Sequence, residues 1–289
     1  MIVLRSLSKV LIIFFFLCSL VSYAQSKNTK YDIDKIGFSC PPANQEIKEL
    51  FYTAFEALKE PEHVNTAGRI LLNIITKDSK MCDAYFWLGV SLTEQGKHKN
   101  AAIYYYYADS LAPKSNLMFK RELAEAAIRI GVYGLAEQKY KEVIEQFPSL
   151  PDGFLGMGIL ATTVSNAYPN ESDKGMDDFQ TIGLKNLVIA EEKYKAQKQW
   201  NKANSDKIYL TKAILFTLKR DYKQAIANFE QCKETYLNLE EFNANYALAC
   251  DEYYKQTKDE KSKQEGIEAF NRIKEKEKLK EDFVKRFQH

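Results

Sequence analysis

The chain has 289 residues, 45% of them hydrophobic and 28% charged, so it can bury a core. Its 41 basic and 39 acidic residues nearly cancel, which argues against a nucleic-acid-binding protein, because displacing counterions from phosphates requires a basic field. Gly and Pro are scarce, at 12 and 7, and the period-two alternation of a sheet protein is missing, so an all-α chain is expected.

The opening stretch carries Arg5 and Lys9, an apolar run from Val10 to Val21, and then Ser22-Tyr23-Ala24. This reads as a secretory signal peptide, residues 1–24, cut after Ala24. The alternative is an uncleaved anchor, which the shortness of the run opposes, since a spanning helix wants roughly 20 apolar residues. Cys18 follows Phe15-Phe16-Leu17, where a lipoprotein signal calls for small residues, so that reading is rejected. Removing the segment takes away two bases and no acid, leaving a formally neutral chain of 39 bases and 39 acids. The expected location is periplasmic or extracellular, with no membrane span after cleavage.

Residues 25–44 are expected to be an N-terminal extension, and residues 45–289 a helical repeat domain. Phe51, Ala54, Phe55 and Leu58 form the first helical face, and Ala67-x-x-x-Leu71-x-x-Ile74 a second. Next comes internal repetition: Gly96, Ala101, Tyr105 and Pro113 recur as Gly131, Ala136, Tyr140 and Pro148, each 35 residues later. The first copy reads Tyr85-x-x-Leu88-Gly89-x-x-Leu92, Gly96, Ala101-x-x-x-Tyr105, Ala108, Pro113. This resembles the tetratricopeptide repeat, a helix pair of 34 residues with an aromatic, Leu-Gly, Ala, a second aromatic and Pro at these places. The physical logic is that Gly89 and Ala101 are small where two helices cross closely, while Gly96 turns the chain and Pro113 ends the second helix.

Later units are degenerate. Phe154-x-x-Met157-Gly158-x-x-Ala161 opens a third whose second helix resumes at Gly183-x-x-x-Leu187-x-x-Ala190, leaving an inserted exposed loop at about residues 166–178. Tyr209-x-x-Lys212-Ala213-x-x-Phe216 opens a fourth, with Lys212 at an apolar place, and Tyr246-Ala247-x-x-Cys250 with Gly266-x-x-x-Phe270 marks a fifth. Phe283, Val284 and Phe287 suit a terminal cap at about residues 275–289. The resemblance therefore implies a right-handed superhelical solenoid of antiparallel helix pairs.

Residues that carry chemistry are sparse. The three histidines, His63, His98 and His289, are far apart, and His98 takes the turn place of Tyr133 and Tyr222, so a packing role is expected. Gly156-x-Gly158 follows no strand, and the acids Asp173, Asp177 and Asp178 lack EF-hand spacing. No enzyme activity, no cofactor and no metal site are expected. Cys40 and Cys82 precede the first helices of neighbouring units and are proposed to form a disulfide, whereas Cys232 and Cys250 replace small or apolar repeat residues and read as buried core.

The expected partner is a protein or peptide. In the tetratricopeptide family the first helices line a concave groove, through positions one and five residues after the first aromatic. Carried over, these are Phe86 and Val90, Arg121 and Glu125, Leu155 and Ile159, and Leu210 and Ile214. The carboxylate clamp of some family members is missing, so an apolar or helical segment is the expected ligand. The same residues could equally pack within the superhelix, and Tyr104 to Tyr107 could serve an interface or a neighbouring helix. Alongside an interaction scaffold stands a second reading, a permanent structural subunit of an envelope or secretion complex.

Overall fold

The computed structural model describes residues 37–168 and 174–287. Residues 1–24, the extension up to residue 36, Asp173 and His289 lie outside the described residues. Thirteen α-helices and no strand occur among the described residues, and none of these helices is long and apolar enough to cross a membrane. They fall into two compact units, one ending at Gly156 and the other beginning at Met157.

The N-terminal unit holds α1 (Gln45–Ala57), α2 (Val64–Lys77), α3 (Cys82–Glu94), α4 (His98–Leu111), α5 (Leu117–Arg129) and α6 (Tyr133–Gln146), together with the start of α7 (Asp152–Ala167). From α1 to α6 each helix packs on the next one in the chain. Asn44 and Asn116 begin α1 and α5 by accepting the amides of Ile47 and Phe119, so two orphan donors at helix starts are satisfied. The α3–α4 and α5–α6 turns place Gly96 and Gly131 at φ near +72° and +78°, a left-handed conformation that a glycine adopts without Cβ strain. Between α3 and α4 the Gly89 backbone lies against the ring of Tyr105, so a Cβ there would sit 2.6 Å from Cε1. Closer contact than a side chain permits is what brings the pair together. The core between helices is aromatic, with Phe86 stacked on Phe119 at 4.8 Å and Trp87 edge-on to Phe55 at 4.9 Å.

The C-terminal unit holds the rest of α7, α8 (Lys174–Ala196), α9 (Lys202–Leu218), α10 (Tyr222–Tyr236), α11 (Glu240–Thr257), α12 (Glu260–Asn271) and α13 (Glu281–Lys285). Its first pair closes as the α3–α4 pair does, with Gly158 against Leu187 and Gly183 against Ala161. Part of the loop expected at 166–178 is helix instead: α7 continues to Ala167 and α8 begins at Lys174, more than two turns before Gly183. The polar residues of 174–182 satisfy their backbone within a helix, and Asp177 in its first turn pairs with Lys219, which caps the C-terminus of α9. At the far end Phe283 and Phe287 lie against Phe270, covering the last helix pair with rings that would otherwise face water.

Candidate partner-binding site

Of the eight residues placed on the expected groove, four are core residues. Phe86 is wedged among Trp87, Tyr105 and Phe119, and Leu155, Leu210 and Ile214 are likewise buried. The reason is size: a large apolar side chain on a first helix reaches the next helix and fills the gap between pairs, so it cannot also present itself to a ligand. Val90, Arg121, Glu125 and Ile159 are half-buried and retain accessible surface. Because Ile159 belongs to the C-terminal unit, the described site is built from α3, α5 and the first turn of α7.

Its centre is Arg121. The guanidinium Nη1 donates to Asp152 Oδ1 at 3.3 Å and Nη2 to Glu122 Oε1 at 3.0 Å, while Nε lies 4.0 Å from Glu125 Oε1. Arg129 sits on the other side of Glu125 at 3.7 Å. Burial opposes the charge on Arg121, but Glu122, Glu125 and Asp152 outweigh it and keep the group protonated. Burial and the neighbouring Glu125 raise the pKa of Glu122, and Arg121 only partly offsets them. Counted formally, three carboxylates against two guanidiniums leave one negative charge in excess, a margin that the raised pKa of Glu122 narrows. The Arg121 side chain is 39% exposed, so an incoming group can reach it. Such an arrangement can hold a cationic or hydrogen-bond-donating group by charge alone, and it contains no nucleophile paired with a base.

A second ionic group, which the sequence reading missed, lies buried among α4, α5 and α6. Lys120 reaches Glu142 at 2.7 Å and Asp109 at 3.1 Å, and Lys139 reaches Asp109 at 2.8 Å and Glu142 at 3.0 Å. The available signal was Lys120 itself, which stands 35 residues after Tyr85, where the first unit has an aromatic. Four charges that satisfy one another hold three helices together, and this network is structural. Lys212, the other lysine at an apolar repeat place, is buried along its stem and ends 2.6 Å from Glu191 of α8.

Cys40 and Cys82 are brought together as a disulfide with Cα atoms 5.5 Å apart. Next to it the buried Asp83 carboxylate accepts the amides of Cys40 at 2.7 Å and Ser39 at 3.2 Å. Burial raises the Asp83 pKa, and these two amides partly counter that. Asn116 then donates to Ser39 Oγ at 2.6 Å, so residues 39–40 are tied to the starts of α3 and α5. Cys232 and Cys250 are buried free thiols; burial pushes Cys232 up to about 12 and moves Cys250 in the same direction. His98 packs in its turn, its Nδ1 buried without a hydrogen-bond partner, and burial together with the Arg129 charge lowers its pKa. Gly156 and Gly158 lie within α7 as close-packing positions, Gly156 against Tyr140 and Gly158 against Leu187.

This order of paired helices recurs in solved structures. The chain matches the Cut9–Hcn1 hetero-tetramer of the APC/C with a TM-score of 0.63 over 96% of its own length and 46% of that chain, at 16% identity. It matches a tetratricopeptide repeat protein from Parabacteroides merdae with a TM-score of 0.54, at 14% identity, over 85% of its length and 98% of that chain. The chain has the tetratricopeptide-repeat fold. MamA from Desulfovibrio magneticus RS-1 shares this fold with a TM-score of 0.51, at 16% identity, over 66% of this chain and 95% of that one. No family model matches the sequence, and no curated protein matches it. The tetratricopeptide fold thus forms here at 14–16% identity to these structures, because only the small and aromatic places that let helices cross are needed for it.

Proposed function

We infer that the chain is a non-enzymatic protein–protein interaction scaffold that holds a partner segment against the first helices of its repeats. The observation that carries this reading is the half-exposed Arg121 cluster on α5, a charged band in an array whose preceding first helix, α3, keeps the apolar Val90 half-buried. It is a surface that chooses a partner by charge and shape, and no general base or nucleophile stands with it. Cut9–Hcn1, a hetero-tetramer by its own description, is one protein of this fold that assembles with another. The excess of carboxylate favours an apolar segment carrying a Lys or Arg, whose cation would sit between Glu122 and Glu125.

The chain acts outside the cytoplasm in this reading. Support comes from the signal-like first 24 residues and from the Cys40–Cys82 disulfide, a bond that persists in oxidising compartments. An N-terminal residue of Gln25 in the protein recovered from its native host would agree; retention of Met1 would refute it.

Binding is tested with a peptide array that varies apolar content and charge, probed with the parent chain and with Glu125→Lys. Apolar peptides with one cation should bind the parent and lose most of their binding to Glu125→Lys, while helicity by circular dichroism stays unchanged. Equal capture of acidic and basic peptides would overturn the reading. Ile214→Asp is unsuited to this test because Ile214 is buried, and it should cost the fold itself.

A further inference from the structure

The start of α3 draws three metal-ligating side chains from two segments to one point. Cys40 Sγ, Cys82 Sγ and a carboxylate oxygen of Asp83 lie within 4.8 Å of one another, and all three residues are buried. Asp83 Oδ2 is 3.7 Å from Cys82 Sγ, and the Leu111 carbonyl oxygen at the end of α4 is 3.8 Å from Cys40 Sγ. Around a tetrahedral zinc ion, with bonds of about 2.3 Å to sulfur and about 2.1 Å to oxygen, a sulfur and an oxygen stand about 3.6 Å apart. Two pairs of donors therefore already hold nearly that spacing. Two sulfurs in such a site stand about 3.8 Å apart, within reach of side chains whose Cα atoms are 5.5 Å apart once no bond joins them.

The carboxylate separates this corner from an ordinary disulfide. Asp83 is only 4% exposed, and among the described residues backbone amides alone answer its charge, those of Cys40 at 2.7 Å and Ser39 at 3.2 Å coming from outside α3. A buried charge normally has an ion-pair partner or a metal beside it. The two amides hold the carboxylate in place, as outer partners of a metal ligand do, and leave each oxygen a lone pair for a further bond. Charge balances as well: two thiolates, one carboxylate and a divalent cation sum to one negative charge, the same as the carboxylate beside a disulfide.

We propose that in the reduced chain Cys40, Cys82, Asp83 and the Leu111 carbonyl bind one zinc ion, at the place the disulfide takes in the oxidised chain. As the two Zn–S bonds form, the two thiols release their protons to water, and nothing is oxidised or reduced. Thiolate sulfur mixed with carboxylate and carbonyl oxygen suits zinc, whereas magnesium and calcium take oxygen alone. Residues 37–39, on the approach to Cys40, are exposed or half-buried, which gives the ion a way in once the sulfurs have parted. The ion ties Cys40 to α3 as the disulfide does, so this corner is stapled in either redox state.

The test uses the full chain, reduced with a phosphine, stripped of metal, and titrated with zinc against a colour-forming chelator, with cobalt as the spectroscopic probe. The reduced parent should take one zinc per chain, show thiolate-to-cobalt absorption, and melt at a higher temperature with zinc than without. The oxidised parent should do none of these, a comparison that needs no substitution. Cys40→Ser should lose the zinc although Cys18, Cys232 and Cys250 remain, and Asp83→Asn should bind at least about tenfold more weakly. Circular dichroism verifies that both variants fold. A reduced parent that takes no zinc, an oxidised parent that takes as much, zinc retained by Cys40→Ser, or an Asp83→Asn chain that binds as the parent does would each overturn the proposal.

Discussion

Replacing Gly89 by Ala adds one methyl group at the closest helix crossing of the first repeat. Its carbon would lie 2.6, 2.7 and 3.0 Å from Cε1, Cδ1 and Cζ of Tyr105, roughly 1 Å inside the 3.5–4.0 Å at which carbon atoms normally rest. The ring has no room to withdraw: Tyr105 is 2% exposed, its hydroxyl is 3.2 Å from Thr93 Oγ1, and its far side meets Phe86, which is itself stacked on Phe119. Overpacking of this kind costs about 1–3 kcal/mol, and the several overlapping ring atoms place it at the upper end. Ala is a better helix former than Gly by about 1 kcal/mol, which leaves a net loss of about 2 kcal/mol. With a urea slope near 2 kcal/mol/M, the unfolding midpoint should fall by about 1 M. Gly134→Ala is the control, because a Cβ at Gly134 on α6 would meet nothing within 4 Å. That variant should gain about 0.5 kcal/mol from helix propensity alone. Urea titrations followed by circular dichroism decide the matter: a Gly89→Ala protein as stable as its parent, or less perturbed than Gly134→Ala, would refute the idea that the repeat is closed by backbone-to-ring contact.

Three further outcomes follow from the same structure. The disulfide joins positions 42 residues apart, so its loss in a Cys40→Ser/Cys82→Ser variant should lower stability by about 4 kcal/mol in the loop-entropy account; a loss below about 1 kcal/mol would show the segment is held by Asp83 and Asn116 instead. Cys232 and Cys250 should resist a thiol reagent at pH 8 in the native protein and react in denaturant, and fast native labelling of both would contradict their burial. Burial alone would raise Glu142, but hydrogen bonds from Lys120, Lys139 and Gln138 outweigh it and hold the carboxyl at about 2. Its folded pKa lies below the unfolded value of 4.5, so its stabilisation is complete above that value and is lost as pH falls toward 2. The stability difference between the parent and Glu142→Gln should therefore shrink on acidification from about pH 6 to pH 2, and a difference that stays constant would dismiss the network as a contributor.

The array was legible in the sequence because its signals are local. Gly89, Ala101, Tyr105 and Gly96 recur at fixed spacing, and each is tied to one backbone requirement, a close crossing or a left-handed turn. The same turn between α9 and α10 is made by Arg220 at φ near +61°, where no glycine announces it. Its conformation is imposed by the flanking helices, which over-determine one unfavourable residue. The helical start of α8 was hidden for a related reason: residues 174–182 mix Gly175, Asp177 and Asp178 with Met176, Phe179 and Ile182, and a short stretch of mixed polarity becomes helix or loop according to what it packs on.

The candidate site divides in the same way. Periodicity alone determined that first helices bear Phe86, Val90, Arg121, Glu125, Leu155, Ile159, Leu210 and Ile214 at equivalent places. Only the tertiary structure decided which of them keep accessible surface, because burial depends on how near the next helix comes and how large its facing residue is; Phe86 meets Phe119 and disappears, while Arg121 meets Asp152 and stays in reach of water. The pairing of Lys120 and Lys139 with Asp109 and Glu142 was likewise beyond the sequence, since those four residues come from three helices and only folding gives them a common centre. Spacing along one chain fixes what a helix shows on each side; the distance between helices fixes what any of it touches.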